Sequence, residues 1–226
     1  PPQSPKGEVS SVQPLPVGET ASHLDALQSG PLSLGNSPLG RQGGRAILIG
    51  HSMGGYIALA FAERYPDTLS AFGLFHSSAF ADSEEKREAR RKGIEKMHEE
   101  SGYAFLQTTV PTLFAPATKE RRPEIIEEQL AAVRNVSTPS LVAYYEAMTR
   151  RPDRTDVLRN SEVPVLFVMG KFDTAVPAED SLKQCHLPQT AYIHLLQNSG
   201  HMGMMEEVAE TNKILEQLIT TVENLA

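Results

Sequence analysis

Three polar residues stand where a chain could use them for nucleophilic chemistry. Ser52 lies in Gly50-His51-Ser52-Met53-Gly54-Gly55, a G-x-S-x-G pattern. An alcohol is a weak nucleophile until a base takes its proton, and it must be exposed to meet a substrate. A tight bend between a strand and a helix meets the second need, because it strains the serine backbone and lifts the hydroxyl above the sheet. Gly50 and Gly54 are expected to keep Cβ atoms out of that bend. A helix opening at Met53 aims unpaired N–H groups at the same spot, and the Met53 N–H is the expected oxyanion donor. The expected base is His201, in Asn198-Ser199-Gly200-His201-Met202-Gly203, where glycines on both sides let a loop carry an imidazole to the sheet edge. Asp173, in Gly170-Lys171-Phe172-Asp173-Thr174-Ala175-Val176-Pro177, is the expected carboxylate that orients the imidazole and offsets its charge. An aspartate after a strand also serves turn chemistry. The order Ser–Asp–His along the chain is what favours the catalytic reading. His23, His98, His186 and His194 lack such neighbours and are expected to be surface or structural residues.

These residues need elements that bring them to one edge. Ala46-Ile47-Leu48-Ile49, ending in Gly50, is a short apolar run that predicts a buried parallel strand. Met53 to Tyr65 predicts a helix, stopped by Pro66. Ala71–Phe75, Pro164–Gly170 and Ala191–Leu196 predict three further strands, and about Glu206–Leu225 predicts a last helix with Val208, Ile214, Leu215, Leu218 and Val222 on its apolar side. Strands alternating with helices give an α/β class, a parallel sheet flanked by helices. Asp82 to about Arg151 has no convincing strand and predicts a helical insertion over the sheet edge. In it Asp82 is expected to cap a helix with Glu85 completing a capping box, and Pro123 and Pro139 to open first turns. Phe105, Leu113, Phe114, Tyr144, Tyr145 and Met148 could line an apolar pocket there, although such residues are more often simply core.

The bulk numbers set the remaining limits. The chain has 226 residues, 40% hydrophobic and 22% charged, enough for one domain with a sizeable core. A net charge of -7 argues against a nucleic-acid partner, since phosphate backbones need clustered cations. The single cysteine, Cys185, allows no internal disulfide, and no His, Asp or Glu grouping has metal-ligand spacing. No apolar run is long enough to span a bilayer, and no signal peptide is visible. The expectation is a cytoplasmic protein without cofactor, of unspecified oligomeric state, acting on a small-molecule acyl substrate.

Taken together, the GHSMGG, GKFDTAVP and SGHMG segments resemble the α/β-hydrolase superfamily, in its single-domain group with a helical lid, from about Arg45 to the C-terminus. The resemblance implies attack of Ser52 on an acyl carbonyl, a covalent acyl-enzyme, and release by water activated through His201. It also implies that the helical insertion is the lid that shapes the acyl pocket. A serine in the bend sets the chain apart from the similar dehalogenases and epoxide hydrolases, which carry aspartate there.

Members of that superfamily place several strands before the serine, one ending in a His-Gly loop that supplies a second oxyanion N–H. Residues 1 to 44 show neither. They are crowded with Pro, Gly and Ser and predict an irregular segment, with at most a short helix near Ser22–Gln28. The expectation is an unrelated peptide from a shifted upstream frame, a fragment, or a segment folding across a partner. Met53 is then the one identifiable oxyanion donor, and the first strand has an open apolar edge. The alternative function is accordingly a catalytically impaired hydrolase-like fragment that acts by binding a partner.

Overall fold

The computed structural model describes residues 45–225; the irregular stretch expected at 1–44, its short helix and His23 lie outside the described residues. Among the described residues four strands form one parallel sheet in chain order: β1 (Ala46–His51), β2 (Leu69–Phe75), β3 (Val165–Gly170) and β4 (Ala191–Leu196). Ile49 sits opposite Gly73, Phe75 opposite Val168, and Val168 opposite His194, so the C-terminal strand ends align. Among the described residues β1 is hydrogen-bonded on one side only.

The apolar runs are continuous because both faces are covered. Along β3, Val165, Phe167 and Met169 face one core with Leu59, Phe72, Leu74 and Leu158. Leu166 and Val168 face the other, with Ala71, Phe75, Ile214, Leu218 and Val222. The first layer is built by helix α1 (Met53–Arg64) and by two short helices. The second is built by the long C-terminal helix Val208–Leu225, whose Ile214, Leu218 and Val222 recur every four residues on one side. This helix begins at Val208 rather than Glu206. Glu207 leaves helical geometry, and its carboxylate turns back to the Asn198 N–H and the Ser199 hydroxyl.

Between β2 and β3 the chain is helical throughout: α2 (Glu84–Glu99), α3 (Gly102–Thr109), α4 (Pro116–Arg121), α5 (Pro123–Ala132), α6 (Thr138–Arg150) and α7 (Thr155–Arg159). Pro123 and Pro139 occupy first turns, where a missing N–H costs nothing. The loops after β3 and β4 carry α8 (Ala178–Leu182) and α9 (Gly203–Glu206), and Val208–Leu225 is α10. Two small cores hold the helical segment together. Phe105 meets Tyr145 edge to face at 5.4 Å beside Met97 and Leu141, and Phe114 packs with Val110, Ile125, Ile126 and Met202. Phe114 is therefore an interior residue of this segment, Phe105 and Tyr145 are half-buried against each other, and Tyr144 points to solvent, 47% exposed.

Asp82 is not the cap of α2. Ser83 is, accepting the Lys86 N–H at 3.3 Å. Asp82 is buried instead, gripped by Arg90 at 2.6 Å and Arg151 at 2.8 Å. The Arg151 guanidinium also lies 3.9 Å over the Tyr56 ring and donates to the Phe80 carbonyl. This network ties both ends of the α2–α6 segment to α1. A buried carboxylate outcompetes a solvated one for two cations, which explains why a residue of cap type went inward.

Candidate active site

The bend at Ser52 has the strain that its motif requires. Ser52 sits at φ 53, ψ -118, outside the regions L residues favour. Its N–H donates to the Phe75 carbonyl at 2.9 Å, and its own carbonyl accepts the Ser77 hydroxyl at 2.7 Å and the Gly55 N–H at 2.9 Å. The bend is thus nailed to the end of β2 on both sides. Gly50 is needed, because a Cβ there would lie 2.2 Å from the Gly54 carbonyl oxygen. Gly54, expected to be the second obligatory glycine, has open space around it; the crowded position is Gly55, where a Cβ would meet Ser77 Oγ at 2.2 Å. Contact with Ser77, in the loop after β2, decides this, and the pattern G-x-S-x-G does not encode it. Met53 begins α1, so its N–H has no acceptor within the helix.

Asp173 and His201 meet. His201 Nδ1 donates to Asp173 Oδ2 at 2.8 Å, with the side chains 4% and 0% exposed. Asp173 is the third residue after β3, and its other oxygen accepts the N–H groups of Ala175 and Val176 at 2.9 and 2.8 Å. Burial alone pushes this carboxyl up. The hydrogen bonds from His201, His76 and the Val176 N–H outweigh it and hold the group well below the usual carboxylate range. His201 reaches the sheet edge on a loop fixed from three directions. Its N–H donates to the Leu113 carbonyl, Gly200 N–H donates to Glu206 Oε1 at 2.7 Å, and Phe172 N–H donates to the Ser199 carbonyl at 2.9 Å. The second oxygen of Glu206 accepts the Ala115 N–H and the Thr118 hydroxyl, both at 2.7 Å, so one carboxylate joins the histidine loop to α4.

Ser52 belongs to the same cluster through its neighbours. His51 Nε2–H donates to the His201 carbonyl at 2.8 Å, with the two rings 5.0 Å apart. Burial and the nearby His201 hold His51 down to about 4, so its ring is neutral. Ser52 Oγ itself makes no hydrogen bond to His201, whose Nδ1 is held by Asp173; nucleophile–base contacts of this kind commonly tighten only with substrate.

Sequence reading missed two histidines, His51 and His76. His76 Nδ1 lies 3.1 Å from Asp173 Oδ2, the same oxygen that His201 uses. The signal was available: His76 is the first residue after a buried strand, as Ser52 is, and Asp173 lies three residues past another. Together His76, Asp173 and His201 present ligand-type atoms within 4.8 Å of one another, a grouping invisible in chain spacing. Its hydrogen bonds suit a proton-handling set better than a metal. The Gly203 N–H donates to His76 Nε2 at 3.3 Å, which places the proton on Nδ1 and removes the lone pair a metal would take.

Comparison with known proteins bears on the family and the fold. The alpha/beta hydrolase family model matches residues 8–214, reaching well before Arg45, where the three motifs begin to be legible. A 2-hydroxy-6-oxo-6-phenylhexa-2,4-dienoate hydrolase from Comamonas testosteroni is 26% identical over 179 residues, 75% of this chain and 61% of that protein. A thermophilic esterase from Thermogutta terrifontis is 29% identical with a TM-score of 0.74, covering 79% of this chain and 66% of that one. The enol-lactonase from Burkholderia xenovorans is 22% identical with a TM-score of 0.70, covering 78% and 66%, a likeness of fold. The chain spans less than two thirds of the length of each. No helix among the described residues is long and apolar enough to cross a membrane. With the parallel sheet, the strained serine bend and a match over most of its length, the chain belongs to the alpha/beta hydrolase family.

Proposed function

We propose that the chain is a serine hydrolase that cleaves a carboxylic ester or a related acyl bond, with Ser52 as nucleophile, His201 as base and Asp173 as its partner. The buried 2.8 Å bond between His201 Nδ1 and Asp173, beside the strained turn of Ser52, carries the reading. That bond occupies Nδ1 and leaves Nε2 to take the serine proton. Ser52 Oγ then bonds to the acyl carbon while the proton passes to His201 Nε2. The carbonyl oxygen becomes an oxyanion that the Met53 N–H is placed to receive. Collapse breaks the acyl–oxygen bond, and His201 returns its proton to the departing alkoxide. Water repeats the sequence on the acyl-Ser52, giving the acid and free enzyme.

Two similar proteins, an esterase and a dienoate hydrolase, support a hydrolytic reaction on a small-molecule acyl substrate. In this proposal α2–α6 act as a lid over the acyl pocket. The Leu113 carbonyl on His201 N–H and Met202 packed under Phe114 support direct contact between that segment and the histidine loop. A fluorophosphonate probe tests the function. Covalent labelling that disappears in Ser52→Ala is the expected result. A folded wild-type chain that takes no label overturns it.

A further inference from the structure

We propose that His76 is a positioning residue that shares the Asp173 carboxylate with His201, locking its orientation and weakening its pull on the base. This rests on the serine-hydrolase reading above. His76 leaves β2 at φ 48, in the left-handed region that favours glycine, while its N–H still donates to the Val168 carbonyl at 2.8 Å. This backbone keeps the β2–β3 ladder intact and lets the ring reach the loop after β3. Both ring nitrogens are used: Nε2 accepts the Gly203 N–H, and Nδ1–H donates to Asp173 Oδ2. The side chains of His76 and Asp173 are 0% exposed, so no water competes for either bond.

An ionised carboxylate has about four lone-pair positions to fill when buried. Ala175 and Val176 fill two, His201 a third, and His76 the fourth. Without His76, Asp173 Oδ2 would turn on His201 alone, and the carboxylate could rotate about the bonds to Oδ1. Two donors on one oxygen also divide its acceptor strength, so the positively charged state that His201 passes through is held less tightly. The assembly is anchored at its far end. A Cβ on Gly203 would fall 2.6 Å from His76 Nε2 and 2.3 Å from Leu196 Cδ1, so only glycine lets the backbone N–H approach the ring.

The ionisable groups that face His76 are Asp173, His201 at 5.6 Å between rings, His51 at 5.9 Å, and the more distant Glu206; the Phe75 ring covers the remaining side. Burial keeps the His76 ring neutral despite Asp173. In a functioning enzyme the ring therefore donates without changing charge, and its loss should be visible in the acid limb of the pH profile.

The test compares wild type, His76→Leu and His76→Asn, using p-nitrophenyl acetate turnover divided by sites titrated with a fluorophosphonate. His76→Leu removes the donor and should lower kcat by roughly 10-fold to 100-fold with KM within about threefold. The midpoint of its acid limb should move up by about half a unit or more, because His201 then has the oxygen to itself. Asparagine can donate from the place of Nδ1 and tolerates positive φ, so His76→Asn should recover most of the rate and the wild-type acid limb. A folded His76→Leu with wild-type per-site kcat and acid limb overturns the proposal. Nitrogen-15 imidazole spectra of the wild-type chain give a second readout that does not depend on the leucine variant folding. His76 should carry its proton on Nδ1, in a downfield resonance lost in Asp173→Ala; a proton on Nε2 overturns the proposal. If the wild type takes no label, the hydrolase reading fails on that result, while the spectra still decide whether His76 holds Asp173.

Discussion

Moving one methyl group along the serine bend separates contact geometry from motif. In Gly54→Ala the added Cβ meets nothing within 4 Å, so the change should cost little and, by restricting the unfolded chain, stabilise by up to about 1 kcal/mol. In Gly55→Ala the same methyl falls 2.2 Å from Ser77 Oγ and 2.5 Å from Ser77 Cβ. Ser77 is 1% exposed and cannot swing away into solvent. Overpacking of this kind costs about 1–3 kcal/mol. Displacing Ser77 also breaks its 2.7 Å bond to the Ser52 carbonyl, worth about 1 kcal/mol more. A total near 3 kcal/mol lowers Tm by roughly 6–12 °C in a domain of this size. The bend itself shifts, so the second-order rate of fluorophosphonate labelling at Ser52 should fall by up to about 100-fold. Adding Ser77→Gly to Gly55→Ala removes the collision and should restore much of the Tm. Calorimetry and labelling kinetics on the four proteins supply the comparison. Equal melting of Gly55→Ala and wild type, or a larger loss in Gly54→Ala, would refute the steric account of the bend.

Three further outcomes follow from buried charge. Asp82→Ala leaves Arg90 and Arg151 facing each other without a counter-ion, and thermal unfolding should show a loss of about 3–5 kcal/mol. Stability should also fall in acid in two stages. The folded His51 is held down to about 4, so between pH 6.5 and 4 the unfolded chain binds a proton that the folded chain refuses, a loss of roughly 3 kcal/mol. Below the ordinary carboxylate range Asp82 and Asp173, both depressed in the fold, lose their contribution as they protonate. Urea midpoints measured from pH 7 to 2 check both stages, and His51→Gln should flatten the first. Glu206→Gln places an amide among the Gly200, Ala115 and Thr118 donors, and kcat should drop by about 10-fold or more with a smaller change in KM.

Local pattern made the frame of the site legible. The β3 run Val165–Gly170 is apolar without break because both faces of the sheet are covered, and such a run is readable residue by residue. Ser52, Asp173 and His201 each follow a strand, and the sheet brings their elements to one edge. What escaped notice depends on contacts between distant parts of the chain. Asp82 is of cap-forming type, yet two arginines, one of them the distant Arg151, draw it inside. Gly55 is constrained by Ser77 and not by its place in the motif. Phe105 and Phe114 could be read as core or as pocket lining, because an amphipathic helix shows which residues are apolar, not which neighbour covers them. His76 became visible only once β2 and β3 were adjacent.

The central claim is that Ser52 forms a covalent acyl intermediate. The most direct measurement mixes the chain with p-nitrophenyl acetate, quenches within the first turnover, and maps the acetyl group by mass spectrometry. The account predicts a burst of one p-nitrophenolate per protein and an acetyl group on the peptide carrying Ser52, with both lost in Ser52→Ala. Acetyl on another residue, or ester cleavage that survives Ser52→Ala undiminished, would contradict it.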